Sequence, residues 1–164
     1  MHYWTVTALI VALDQWSKSY MSELLQLCVR GRCESIDVLP IFKLTLLHNE
    51  GAAFSFLDDA GGWQRWFLVA VSSVVSAFIS GWLWRVHRAQ ALLSWALCLI
   101  LGGAIGNLID RAAQGYVVDF LVFYYDVYYF PAFNVADAAI STGAVLLILD
   151  MIIQYRKERL EANG

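Results

Sequence analysis

Charge is what this sequence has least of. Only 15% of its 164 residues are Asp, Glu, Lys or Arg, against about 25% in soluble domains. With 60% hydrophobic residues and a mean hydropathy of +0.58, that scarcity excludes an ordinary soluble fold, which is about 45–50% apolar. There is no basic run, and the net charge of −3 gives no footprint for nucleic acid. Three cysteines are too few for a disulfide framework. Cys28 and Cys33 pair if their loop faces an oxidising compartment, whereas Cys98 lies in an apolar run and reads as core filler. His2, His48 and His87 are scattered, so no metal site and no cofactor are expected. The amino terminus lacks a basic start and a small-residue cleavage site. It reads as a retained first span rather than a removed signal peptide.

What is present are long apolar runs. Trp66–Trp84 is 19 residues without a charge, and Ala89–Ile109 is 21. A membrane span needs about 20 such residues at about 1.5 Å each. Phe133–Leu149 is a third run, interrupted only by Asp137 and preceded by Pro131, which suits a helix start. Trp4–Leu27 is a fourth, broken in its second half by Asp14, Lys18 and Glu23. The expected fold is an α-helical integral membrane protein. Its single domain has four spans, at about 4–27, 66–84, 89–109 and 133–155.

Basic residues in short loops orient such a chain. Arg85 and Arg88 lie between the second and third spans, and Arg156, Lys157 and Arg159 follow the last. These places fall on one side of a four-span protein, so they and both termini are expected in the cytoplasm. Segments 28–65 and 110–132 then face outward. In the first, "IFKLTLLHN" alternates like short strands, and "GAAFSFL" reads as an amphipathic piece on the membrane surface. The second, "DFLVFYYDVYYFPAF", is aromatic enough for the membrane interface.

The few polar residues collect in short motifs. Asp14 and Lys18 in "DQWSK" are four apart, within ion-pair reach on a helix face. A structural pair that makes two buried charges tolerable competes there with a catalytic role. "GGAIGNLIDR" places Asn107, Asp110 and Arg111 on one face. A carboxylate is disfavoured at a helix carboxyl end, so Asp110 needs Arg111 or another partner. Asp119 in "YVVDF" has no basic neighbour in sequence, and is either an exposed loop residue or a carboxyl with a raised pKa. In "FNVAD", Asn134 can cap the last helix with Asp137 at its third position, which needs no catalysis.

Together these residues say more. Asp110, Asp119 and Asp137 fall at the same outer edge of the bilayer, accompanied by Asn49, Asn107 and Asn134. No Ser–Lys or Ser–His arrangement stands beside them. Two close carboxylates from different segments share a proton near neutral pH. One then acts as base on a water and the other as acid toward a leaving amine. On the residues alone, either Asp110 or Asp119 could partner Asp137.

The ordered motifs "DQWSK", "HNEGAAFSFL", "GGAIGNLIDR", "GYVVDF" and "FNVADAAI" resemble the bacterial lipoprotein signal peptidases (signal peptidase II) over essentially the whole length. The resemblance implies an aspartic endopeptidase of the bacterial inner membrane. Its substrate would be a prolipoprotein, cut just before a cysteine carrying a diacylglyceryl group. It implies Asp119 and Asp137 as the catalytic pair, with Asn49 and Arg111 contacting substrate or the inhibitor globomycin. Asn107, Asp110 and Asn134 would support the site, and Asp14 and Lys18 would be largely structural. It also implies a small β-rich cradle and a surface helix in the outer loop. Two other classes compete. A small proton-coupled transporter would use Asp14 or Asp137 as carrier, though such proteins place the key charge near mid-membrane and show paired repeats. A scaffold would use the edge carboxylates only for capping.

Overall fold

The computed structural model describes residues 2–29, 33–51 and 63–162. Among the described residues, four long helices carry a four-stranded sheet. In chain order they are α1 (His2–Leu24), β1 (Ile36–Leu39), β2 (Phe42–Asn49), α2 (Trp63–Val86), α3 (Ala91–Ala113), β3 (Val117–Tyr125), β4 (Tyr128–Tyr129) and α4 (Val135–Ala162). Among the described residues, three helices, α2, α3 and α4, are long and apolar enough to cross a membrane. In α1, Asp14, Lys18 and Glu23 dilute the apolar run.

Helix α3 is the hub against which the other three pack. Its glycines permit that closeness. A β-carbon at Gly106 would lie 2.5 Å from the Asp14 carboxylate of α1, and one at Gly102 would lie 2.8 Å from Ile10. At Gly103 it would strike the Ala136 carbonyl of α4. Leu83 of α2 and Leu93, Leu97, Cys98 and Leu101 of α3 form the deepest apolar cluster, edged by Tyr3 and Trp4 of α1. Cys98 is thus core filler, as its apolar run predicts, and its carbonyl accepts a hydrogen bond from Thr7. Arg65 closes the other end of α3. Its guanidinium donates to the Arg111 carbonyl at 3.0 Å and the Ala112 carbonyl at 2.7 Å. A cation at a helix carboxyl terminus answers both orphan carbonyls and dipole. The chain then turns at Gly115, whose φ of +90° suits glycine.

The sheet is antiparallel in the order β1-β2-β3-β4. Its strands come from both segments expected to face outward, and the aromatic run that reads as an interface stretch forms β3 and the β3–β4 hairpin. Leu25, Leu46, Val118 and Phe120 bury the sheet against the end of α1. The first apolar run stops being helical at Leu24, short of the expected residue 27, because Leu27 bridges to Leu46 and the Cys28 amide donates to the Leu46 carbonyl. Cys28 and Cys33 are joined in a disulfide. The "GAAFSFL" stretch beyond Gly51 lies outside the described residues.

Candidate active site

Three local decisions bring the site together. First, Phe133 zips onto β3: Phe120 and Leu121 donate to its carbonyl, and its own amide donates to Leu121. That places Asn134, the next residue, beside Asp119. Second, Asn134 begins α4. Its side-chain oxygen accepts the Asp137 amide at 2.9 Å, and its own amide donates to Asp137 Oδ2 at 3.2 Å. This reciprocal cap answers two orphan donors. It also fixes the Asp137 carboxylate at the positive end of the helix. Third, β2 pairs with β3 so that Leu47 faces Asp119 and Asn49 faces Val117. Asn49 therefore reaches Asp119 diagonally.

Every oxygen of the two aspartates accepts an N–H. Asp119 Oδ1 takes the Asn134 side-chain amide at 2.7 Å and Oδ2 takes Asn49 at 3.1 Å. Asp137 Oδ1 takes the Asn107 side-chain amide at 2.8 Å. Asp119 is 3% exposed. Burial pushes its pKa up to about 6. The Asp137 charge pushes the same way, while the Asn49 and Asn134 bonds pull it down. Of the two sequence readings, the buried carboxyl holds and the exposed loop residue does not.

Asp119 and Asp137 line one cavity of about 1060 Å³, together with Asn49, Arg111 and the rings of Phe123, Phe130 and Phe133. It runs along α4 past Ser141 and Thr142, both exposed. Arg111 Nε is buried without a hydrogen-bond partner among the described residues. His48 also lines the cavity, stacked on Tyr116 with centroids 3.8 Å apart. Burial holds its pKa below the ordinary histidine value, against Glu50.

Asp110 does not line this cavity. The expectation that Asp110 needs a partner holds, but the partner is Lys18 of α1, at 2.9 Å, rather than Arg111. Gln15 and the Val118 amide donate to it as well, at 2.8 and 3.2 Å. The Asp14–Lys18 pair forms as the spacing predicts, at 2.7 Å, and both residues are buried. Gln15 was not singled out from the sequence. Its signal was an uncharged amide beside two charges on an apolar helix. Among the described residues, no group of three or more His, Cys, Asp or Glu could hold a metal ion.

The sequence model of the family described as Signal peptidase (SPase) II matches residues 6–153. The chain belongs to the signal peptidase II family. Among its relatives, the lipoprotein signal peptidase of Alteromonas mediterranea is 51% identical over 97% of this chain and 84% of that protein. The lipoprotein signal peptidase of Cupriavidus pinatubonensis is 52% identical over 91% of this chain and 81% of that one. A solved bacterial membrane enzyme superposes with a TM-score of 0.78 at 25% identity, covering 94% of this chain and 89% of its own. Membership makes this chain a membrane peptidase. It gives no support to the transporter alternative.

Proposed function

We propose that the chain is an aspartic endopeptidase of the bacterial inner membrane. It removes the signal peptide from prolipoproteins, cutting just before a diacylglyceryl-modified cysteine. The observation that carries this reading is that Asp119 and Asp137, from different elements, line one cavity with all four oxygens held by amide donors. Asp119, raised to about 6, holds the shared proton more readily and acts as acid toward the leaving amine. Asp137, at the positive end of α4, acts as base on the attacking water.

The remaining groups suit a lipidated peptide. The buried Arg111 guanidinium, its Nε without a partner among the described residues, offers a donor to a substrate carbonyl. Asn49 holds Asp119 and borders the bound chain. The phenylalanine wall and the exposed aromatic hairpin exclude water and seat acyl chains at the membrane surface. The same cavity takes globomycin. The four-span topology completes the picture. Helix α1, 23 residues long, spans about 35 Å and crosses as the fourth span, with Asp14 and Lys18 paired inside the protein and Glu23 exposed in its last turn. Both termini are cytoplasmic, and the site lies at the outer face. The Cys28–Cys33 disulfide fits an oxidising outer compartment.

The test supplies purified protein in detergent with a prolipoprotein, with and without its diacylglyceryl group. Product masses should place the cut immediately before the modified cysteine, with the unmodified precursor left intact and chelators without effect. Efficient cleavage of the unmodified precursor, or inactivation by chelator, would contradict the reading.

A further inference from the structure

Among the described residues, Lys18 is a buried cation that the proposed chemistry leaves unused. Its ammonium has three protons and no acceptor. One goes to Asp14 Oδ2 at 2.7 Å and one to Asp110 Oδ2 at 2.9 Å. The third goes to Asn107 Oδ1, also at 2.9 Å. That third bond is not needed to balance charge, because the two carboxylates already exceed the one ammonium. It ties α1 to a side chain whose other end touches Asp137.

The bond has a consequence for Asn107. A carboxamide presents an acceptor on one side and two donors on the other. Asn107 Oδ1 faces two donors, the Lys18 ammonium and the Asn134 side-chain amide at 3.3 Å. Its Nδ2 therefore faces Asp137 Oδ1 at 2.8 Å. With the amide reversed, an N–H would meet the ammonium, a second N–H would meet Asn134, and a carbonyl would meet a carboxylate. All three contacts would turn from attractive to repulsive.

We propose that Lys18 is a positioning residue of the site: its ammonium fixes the Asn107 carboxamide so that an N–H is held on Asp137. This rests on the reading of Asp119 and Asp137 as the catalytic pair. It assigns to the "DQWSK" motif a role in turnover beside its structural one. The charged groups around this relay are Asp14 on α1, Asp110 and Arg111 on α3, Asp119 on β3 and Asp137 on α4.

Lys18→Met alone leaves Asp14 and Asp110 as buried carboxylates with no cation beside them, which threatens folding. The test therefore uses Asp14→Asn with Lys18→Met, which keeps the net charge of the cluster. Asp14→Asn with Lys18→Gln restores a donor toward Asn107. Melting temperature reports folding, and kcat, KM and the pH–rate profile report function. An N–H on a carboxylate favours its charged form, and so does a nearby ammonium. Losing both moves the acid limb of kcat/KM to higher pH. In the Met variant, kcat is expected to fall roughly tenfold to a hundredfold with KM little changed. The Gln variant should regain much of kcat and of the limb. A folded Met variant with wild-type kcat and an unmoved limb would overturn the proposal. So would Met and Gln variants that behave alike. Asp137→Asn serves as control. If it still turns over, the dyad reading falls. If it is inactive while the Lys18 variants match wild type, only the positioning role falls.

Discussion

Asp119 should cost the protein stability at neutral pH, and Asp119→Asn should recover it. The carboxyl is 3% exposed, and burial raises its pKa from 3.8 to about 6. A group held above its unfolded value favours folding when protonated and opposes it when ionised. The cost is therefore absent below pH 3.8, grows as pH rises, and is complete above about 6. Its size above pH 6 is about 3 kcal/mol, from 1.36 kcal/mol per unit. Asparagine removes that cost but adds one. Asn49 and Asn134 both donate to the aspartate, and an amide has a single oxygen to offer them. One lost hydrogen bond costs about 1 kcal/mol. The net gain at pH 8 is about 2 kcal/mol, or about 4–8 °C in melting temperature for a chain of this size. At pH 5 roughly half of the gross gain survives, so the difference nearly vanishes. Thermal unfolding in detergent at pH 5, 6.5 and 8, wild type against variant, measures it. A variant less stable than wild type at pH 8, or a difference independent of pH, would refute the argument.

Three further outcomes follow from the same geometry. Asn49→Ala removes one N–H from Asp119 Oδ2. It should move the basic limb of kcat/KM, where the acid Asp119 loses its proton, upward by up to about one unit, read from initial rates between pH 4.5 and 8. Gly106→Ala drives a methyl to 2.5 Å from the Asp14 carboxylate and 3.4 Å from Ala136 Cβ. It should cost about 1–3 kcal/mol, visible as a lower melting temperature, with the loss reduced in an Asp14→Ala background, where the clashing carboxylate is gone. Arg65→Ala removes the donor to the Ala112 carbonyl and leaves the Arg111 carbonyl with the Gly115 amide alone; it should lower stability by about 1–2 kcal/mol, with kcat of the folded fraction little changed.

How far the residues alone reached differs from element to element. The cores of α2, α3 and α4 were legible because an unbroken apolar run has few other uses. Their ends were not: α4 continues to Ala162, through Arg156, Lys157 and Arg159, which carry no hydropathy signal. The asparagine cap at Asn134 was legible because capping is a local rule. The partner of Asp110 was not. Arg111 is adjacent in sequence, but Lys18 arrives from another helix, and side-chain pairing across helices leaves no mark in spacing. The choice between Asp110 and Asp119 had the same difficulty. It turns on Phe133 zipping onto Leu121, a pairing between residues that read only as aromatic and apolar. Likewise, the 28–65 segment showed strand-like alternation, while the strand character of 117–125 was hidden by burial along most of its length, which erases a period of two.

The central claim is that Asp119 and Asp137 together perform the cleavage. The most direct measurement is turnover of a diacylglyceryl-modified prolipoprotein by Asp119→Asn, Asp137→Asn and Asp110→Asn, each confirmed folded by its unfolding transition. The account predicts no detectable cleavage by the first two, and residual cleavage by folded Asp110→Asn. Normal turnover by Asp119→Asn, with Asp110→Asn inactive, would contradict it and move the partner of Asp137 to Asp110.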